Sequence, residues 1–325
     1  MADAPDVVGR LAPSPTGRLH LGHARSFLIA WWSARAQGGC VVLRIEDLDG
    51  ERVKPGATEL VLEDLAWLGL DWDGEPLHQT TRAAAHREAL ESLVRQRRAY
   101  PCVCTRREIN EAASAPHGDT GEKPYPGTCR GRFASAQEAL DATGRDPAIR
   151  LAVDASRGPV GFQDAIQGCC SVDVAGTAGD FVIGRKDGQA AYQLATPLDD
   201  AHQGVTEVVR GADLAPSAGR QALVLDALGL QPPRQAHAGL VHDAEGLRLA
   251  KRAGALSLQE LRASGALPEQ IATWAAASVG RLAEGPPRPA SAWIDEFTLG
   301  SVPRHAMRLH SKNLLDPPSS MTAGH

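Results

Sequence analysis

No apolar run in this 325-residue chain approaches the length of a membrane span, so spanning the bilayer as a helix is excluded. The N-terminus "MADAPDVVGR" lacks a basic stretch followed by an apolar one, so a secretory signal is not expected and a cytoplasmic location is. There is no large excess of charge of one sign. The net charge is -5, which gives no global sign of nucleic-acid binding and confines any such surface to a local patch. Six cysteines are too few in a chain this long for a disulfide scaffold; in a reducing compartment, clustered thiols more often bind metal. No internal repeat is present. What remains is a hydrophobic fraction of 43%, enough for a sizeable core in one large domain or two ordinary ones.

The N-terminal third reads as alternating strand and helix. Val7 to Leu11 is a short buried strand. Apolar residues then recur at Leu21, Ala24, Leu28 and Trp31, which is helical spacing, and Gly38-Gly39 supplies a stop. "CVVLRI" (Cys40 to Ile45) is the next strand, so the pattern predicts a right-handed crossover unit of a parallel sheet. Further helices are expected over Ala57 to Leu68, closed by Gly69, and over Ala83 to Arg98. Late in the chain, Leu258 to Ser264 and Pro268 to Val279 predict two short helices, a small bundle under the active site. "SAPHGDTGEKPYPGT" and "EGPPRPAS" read as loops, and the tail "SKNLLDPPSSMTAGH" as poorly ordered.

Between the first strand and first helix stands "PSPTGRLHLGH", Pro13 to His23. Ligands of open parallel sheets bind beyond the carboxyl ends of the strands, where this turn lies. A helix start presents free N–H groups and partial positive charge, which suits phosphate. Pro13 and Pro15 stiffen the approach, and Gly17 and Gly22 let the backbone near a ligand. His20 and His23, three apart, can face one side of the first turn and donate to phosphate oxygens. A proline-rich loop with two surface histidines fits the spacing equally well.

The motif's wording decides. "RLAPSPTGRLHLGH" resembles the first signature of class I aminoacyl-tRNA synthetases, with "HLGH" for His-Ile-Gly-His. Together with "LRIEDLD" it resembles the glutamyl branch. The resemblance continues through "AYQLATPLDDAHQGVTEVVRGADL" (Ala191 to Leu214) and "RLAKR" (Arg248 to Arg252), in the place of Lys-Met-Ser-Lys-Ser, and so covers most of Val8 to Arg252. Arg248 keeps the positive charge of the first lysine, Ala250 loses a hydroxyl donor, and Lys251 matches the second lysine. The resemblance implies a Rossmann-type parallel sheet. It implies ATP, with Mg2+, held at His20 and His23 and at Lys251, which stabilises charge on the triphosphate. Pro13, Gly22, Arg248 and Arg252 complete the signature segments.

Glutamate offers two carboxylates and one ammonium, so its pocket needs cations and an anion. Arg10 and Arg210 offer guanidiniums, Glu46 a carboxylate and Tyr192 a hydroxyl and a wall. Matching positions line the amino-acid pocket of the family, and the resemblance assigns these four, with Ala12 and Ser14, to L-glutamate.

A third feature is "YPCVC", with Cys102 and Cys104, followed by Cys129 after a loop. Three thiolates and a fourth ligand make a closed tetrahedral zinc site. On chemistry alone His117 is the better fourth ligand; the resemblance implies Tyr125 and a structural Zn2+. Cys40, Cys169 and Cys170 have no ligand partners in sequence and read as strand or turn residues.

Only residues 252 to 325 follow Lys251, too few for the helical anticodon-binding region of a full glutamyl-tRNA synthetase. With the cysteine cluster and "YQLA", this resembles the bacterial glutamyl-Q tRNA(Asp) synthetases. The resemblance implies activation of glutamate without tRNA and its transfer to queuosine in the anticodon of tRNA(Asp). A truncated enzyme charging a tRNA 3′ end remains open, as does a non-catalytic paralogue. The expected division is a catalytic domain over 1–99 and 179–240, a zinc-bearing insertion over 100–178, the second signature and helical region over 241–309, and a tail over 310–325. A monomer is expected.

Overall fold

The computed structural model describes residues 6–50, 53–112, 124–242, 246, 257–281 and 285–308. Arg248, Ala250, Lys251, Arg252, His117 and the tail therefore lie outside the described residues. No described helix is long and apolar enough to cross a membrane.

Strand β1 (Val8–Leu11) leads through α1 (Leu21–Arg35) to β2 (Cys40–Ile45), paired in parallel from Val8–Cys40 to Leu11–Leu43. The predicted crossover unit is present. The double glycine does two jobs. Gly38 takes a left-handed φ of 66°, whereas a Cβ on Gly39 would lie 2.4 Å from the Val7 carbonyl, so only glycine lets β2 start against β1. Helix α2 (Ala57–Trp67) stops where Gly69 predicts, and a two-residue strand β3 (Leu77–His78), which the sequence did not reveal, adds to β2. Helix α3 (Ala83–Arg95) ends before the expected Arg98. Arg97 adopts a left-handed φ of 57° and turns the chain into β4 (Ala99–Cys102).

Beyond β4 come α4 (Arg106–Ala112), α5 (Ala136–Thr143), β5 (Ala148–Leu151), the hairpin β6 (Val160–Asp164) and β7 (Gly168–Val172), α6 (Val174–Thr177) and β8 (Val182–Gly184). β4, β5 and β8 form an antiparallel sheet. Then α7 (Tyr192–His202), β9 (Glu207–Gly211), α8 (Ala215–Leu228) and β10 (Arg234–Ala238) return to the parallel arrangement. The Thr206 N–H donates to the Val8 carbonyl at 2.9 Å and brings β9 beside β1. The strands thus run β3, β2, β1, β9, β10, with the reversal of order between β1 and β9, where a doubly wound sheet opens its crevice. The hairpin adds to this sheet through the Gln235–Asp164 pair.

Strand β11 (Val241–His242) pairs with β12 (Met307–Arg308) near the end of the described chain. α9 (Leu258–Ala263) and α10 (Pro268–Ala277) match the two expected late helices to within two residues. They share the core of the parallel sheet: Ile271, Ala272, Ala275 and Trp293 pack with Leu28, Ile29 and Trp32, and the Trp32 indole donates to the Ala290 carbonyl at 2.8 Å. The loop expected over Glu284 to Ser291 runs into a single 3-10 turn, Ala290–Trp293. A second core lies between α3, β8, α7 and α8, centred on Leu93, Ile183, Leu194 and Val224. A third surrounds Cys102 and Cys129.

One buried carboxylate fastens α3 to α7. Asp199 accepts from Gln79 Nε2 at 2.9 Å, touches His86 Nε2 at 3.0 Å and pairs with Arg82 at 3.3 Å. Burial works against its charge, but its hydrogen bond to His86 and further polar neighbours hold the carboxyl below its ordinary range. Asp199→Ala should destabilise by about 3–5 kcal/mol, the cost of breaking a buried polar set by removing one partner, read by urea unfolding. Because the folded pKa lies below the unfolded one, Asp199's contribution is complete above about pH 5 and is lost as pH falls through the folded value. The stability gap between wild type and Asp199→Ala should therefore narrow in acid; a gap that widens would refute the assignment.

Candidate active site

At the carboxyl ends of β1, β9 and β10 lies a cleft of about 520 Å³. It gathers Arg10, Ala12, Ser14, His20, Gly22, His23, Glu46, Tyr192 and Arg210, residues spread over two hundred positions of sequence. Pro13 stands in the turn at its edge, where its carbonyl accepts from the Glu46 N–H at 3.0 Å and so ties the first signature to the end of β2.

His20 is the N-cap of α1. Its Nδ1 accepts the N–H groups of Gly22 (3.1 Å) and His23 (3.4 Å), while His23 Nδ1 accepts the N–H of His20 (3.3 Å). This is a capping box built from two imidazoles. A Cβ at Gly22 would sit 3.0 Å from the His20 ring, so glycine there makes room for the cap. The arrangement alters the expected chemistry: first-turn N–H groups that a phosphate would use are taken by the histidines. Since both Nδ1 atoms accept, both rings carry their proton on Nε2. The rings stack at 3.7 Å. Burial lowers the pKa of both, His23 to about 3. The first turn of α1 therefore offers two neutral Nε2–H donors in place of its own N–H groups.

Arg10 is buried at the end of β1. Its Nε lies 3.3 Å from Asp200 Oδ1, and its Nη1 donates to the Val209 carbonyl at 3.2 Å. Burial pushes its pKa down, and Asp200 opposes that. Arg44, wholly buried on β2, donates to Asp200 Oδ1 (2.6 Å) and to Glu46 Oε1 (3.2 Å); Thr196 Oγ1 donates to the same Glu46 oxygen at 3.3 Å. Helix α7 supplies three of these contacts from one face, since Tyr192, Thr196 and Asp200 are spaced four apart. Tyr192 is 37% exposed, and its oxygen accepts from Arg210 Nη1 at 3.3 Å, leaving its own proton for a ligand. Arg210 also donates to Gln221, Gln235 and His237.

Sequence reasoning missed Arg44, Asp200, Asp164, His237 and Arg25. The four-residue spacing on α7 was a signal for Asp200. Arg25, two residues beyond His23, is buried against the cleft and joins α1 to the Gly239 carbonyl and Ser278 Oγ, each at 2.7 Å. Burial lowers its pKa to about 10.

The second signature lies outside the described residues, but its flanks are fixed. Val241 lines the cleft, and Ser257 forms an antiparallel bridge with His20, with the Leu258 N–H donating to the Leu19 carbonyl at 2.8 Å.

Cys102, Cys104 and Cys129 bring their sulfurs within 4.8 Å of one another, and this cluster can hold a metal ion. Tyr125 Oη stands 3.3 Å from Cys102 Sγ and 3.4 Å from Cys104 Sγ, and accepts the Cys129 N–H at 3.0 Å. A tetrahedral zinc with Zn–S of 2.3 Å separates its sulfurs by about 3.8 Å, so the set fits such an ion with little movement. The Tyr125 N–H donates to the Ala178 carbonyl, and Arg130 pairs with the buried Asp180, tying the cluster to the body. Cys40, Cys169 and Cys170 all lie on strands, away from this group.

Residues 6–278 match the family model for class I tRNA synthetases (E and Q), catalytic domain. The chain is 48% identical to the glutamyl-Q tRNA(Asp) synthetase of Rhodopirellula baltica over 84% of this chain and 85% of the relative. It is 44% identical to that of Nocardia farcinica over 98% and 99%. Among solved structures, a glutamate tRNA ligase from Elizabethkingia meningosepticum superposes with a TM-score of 0.76 at 26% identity; the match covers 93% of this chain but 66% of that one. A fold built around a two-histidine helix cap at the switch point of a parallel sheet, matched over nearly its whole length by these relatives, places the chain in the class I glutamyl-type tRNA synthetase family, among the glutamyl-Q tRNA(Asp) synthetases.

Proposed function

We propose that the chain activates L-glutamate with ATP and transfers it to the queuosine base of tRNA(Asp). The observation that carries the reading is the single cleft holding two buried guanidiniums, a fixed carboxylate and two neutral imidazole donors. Arg10 and Arg210 bind carboxylate, Glu46 receives the ammonium, and the Tyr192 hydroxyl donates to the substrate; Ala12 and Ser14 line the floor. The α-carboxylate of glutamate is already ionised and needs no general base. Its oxygen attacks the α-phosphorus of ATP, a P–O bond forms, and the bond to pyrophosphate breaks. The Nε2–H groups of His20 and His23 hold the phosphates through this step, and Lys251 of the second signature adds positive charge. Mg2+, when bound with ATP, would neutralise part of the triphosphate charge. A hydroxyl of the queuosine ring then attacks the anhydride carbonyl, AMP leaves, and an ester forms. The insertion over 100–178 is the proposed RNA contact, in which Cys102, Cys104, Tyr125 and Cys129 would hold a structural zinc.

Purified protein should exchange labelled pyrophosphate into ATP with glutamate alone. Arg10→Ala and Lys251→Ala should each lower that exchange about 10- to 100-fold, the value of a charge-assisted contact. Equal exchange with aspartate or glutamine would remove the pocket assignment, and none with any amino acid would favour a binding protein.

Elemental analysis of protein prepared without chelator should find one zinc per chain, released by acid because the ligands must lose protons to bind. Zinc retained in Tyr125→Phe but lost in His117→Ala would move the fourth ligand.

Labelled glutamate should attach to tRNA(Asp) only when queuosine is present, and nuclease digestion should place the label in the anticodon fragment. Mild alkali should release it, and binding should weaken with salt despite the chain's negative charge. Label at the 3′-terminal adenosine would instead identify a tRNA-charging enzyme.

A further inference from the structure

Behind Arg210 stands a buried pair that the proposed chemistry does not touch. Asp164, the last residue of β6, places Oδ2 2.5 Å from His237 Nδ1. His237, fully buried on β10, places Nε2 3.0 Å from Arg210 Nε. An arginine Nε always carries hydrogen and can only donate. His237 Nε2 must therefore present its lone pair, and the imidazole proton sits on Nδ1, facing Asp164. Asp164 Oδ1 is occupied separately, by the N–H groups of Ile166 (2.9 Å), Gln167 (2.8 Å) and His237 (3.2 Å).

We propose that Asp164 and His237 are positioning residues of the amino-acid pocket: Asp164 fixes the Nδ1–H tautomer of His237, whose Nε2 lone pair aims the Arg210 guanidinium into the cleft. Arg210 has five N–H donors. Nε is spent on His237, Nη1 on Gln221 (2.9 Å) and Tyr192 (3.3 Å), and one Nη2 hydrogen on Gln235 (3.2 Å). One Nη2 hydrogen is left for a ligand carboxylate. In the other tautomer two N–H groups would oppose each other at 3.0 Å, and the guanidinium would swing away. Burial lowers the His237 pKa, with Arg210 acting in the same direction, which keeps the ring neutral and its lone pair available. Asp164 is held well below the ordinary carboxylate range; burial works against this, and the His237 hydrogen bond and the backbone N–H groups outweigh it. Although β6 falls within residues 100–178, the segment proposed to meet RNA, its pairing with β10 lets a residue of that segment set the geometry of the amino-acid site.

The inference rests on Arg210 gripping glutamate, and the test separates the two. Asp164→Asn keeps an oxygen for the three backbone N–H groups but turns an NH2 toward His237 Nδ1. That forces the proton to Nε2, the logic by which an Asp-to-Asn change disables a catalytic triad. Two-bond nitrogen–proton NMR of the full chain, without substrate, should show Nδ1–H at His237 in wild type and Nε2–H in Asp164→Asn. In pyrophosphate exchange, Asp164→Asn and His237→Ala should raise the glutamate KM at least about tenfold, the value of one charge-assisted hydrogen bond, with the ATP KM unchanged. His237→Gln, which offers an amide oxygen to Arg210 and an amide N–H to Asp164, should recover most of the glutamate affinity lost in His237→Ala. An Nε2–H tautomer in wild type overturns the proposal whatever the kinetics. So does a rise in both KM values together, or a His237→Gln variant no better than His237→Ala, a comparison that stands even if Asp164→Asn fails to fold. Absence of glutamate-dependent exchange in wild type would sink the glutamate reading, while the tautomer would still decide the Asp164–His237 arrangement.

Discussion

Asp200 holds two buried arginines at once. Its Oδ1 lies 3.3 Å from Arg10 on β1 and 2.6 Å from Arg44 on β2, and all three groups are almost wholly removed from water. Isolating such charges costs several kcal/mol each, so the arrangement survives only if every member is paired. Burial works against the charge on Arg44, yet Asp200 and Glu46 outweigh it and hold its pKa above the ordinary value. The consequence is geometric. One carboxylate from α7 fixes the side chain of β1 that faces the cleft and, through Arg44, the carboxylate of Glu46 that faces it from just beyond β2. A looser hydrophobic contact would stabilise as well but would not set these directions.

The same helix serves the other core from its adjacent residue. Asp199 points toward α3 and Asp200 toward the sheet. Two consecutive aspartates, which in a helix usually mark a solvent face, are here both buried and both paired. Composition and hydropathy cannot reveal this, because an aspartate's burial depends on cations supplied by segments far away. Arg44 reads as an interruption in an apolar strand, and His237 as one of three polar residues in a short strand. Their partners lie 156 and 73 positions away.

What was legible follows from local rules. β1, α1 and β2 are bounded by punctuation within the segment itself: the two strands match the pattern to within a residue, and α1 starts at Leu21 and ends three residues before Gly38. Most residues brought into the cleft stood in short contiguous motifs, from Arg10 to His23, at Glu46, at Tyr192 and at Arg210, whereas Arg25 carried no such mark. The antiparallel sheet of β4, β5 and β8 was not legible, because its pairings join Ala99 to Leu151 and Ile149 to Gly184 across loops of no fixed pattern. The thiol cluster falls between these cases. Cys102 and Cys104 are adjacent by motif, but Tyr125 is placed by pairing with Gly179, a contact no spacing rule contains.

The buried charges also bear on which amino acid the pocket accepts. Arg10, Arg44 and Arg210 face Glu46 and Asp200, an excess of one positive charge within this group, and Arg25, buried against the same cleft and bonded to a carbonyl and a hydroxyl, adds to it. Asp164 does not cancel it directly, since its oxygens are spent on three backbone N–H groups and on the neutral His237. On the proposed reading, an amino acid carrying one net negative charge offsets part of this excess, whereas one whose side chain is neutral leaves a buried guanidinium without an anion. A site built this way rejects the wrong ligand through its own unpaired groups, a larger penalty than a change in apolar contact gives. The neutral histidines fit the same logic. Two stacked imidazolium ions in the cleft that holds Arg10 and Arg210 would add to this positive excess, and burial keeps both rings uncharged while their Nε2–H groups still donate.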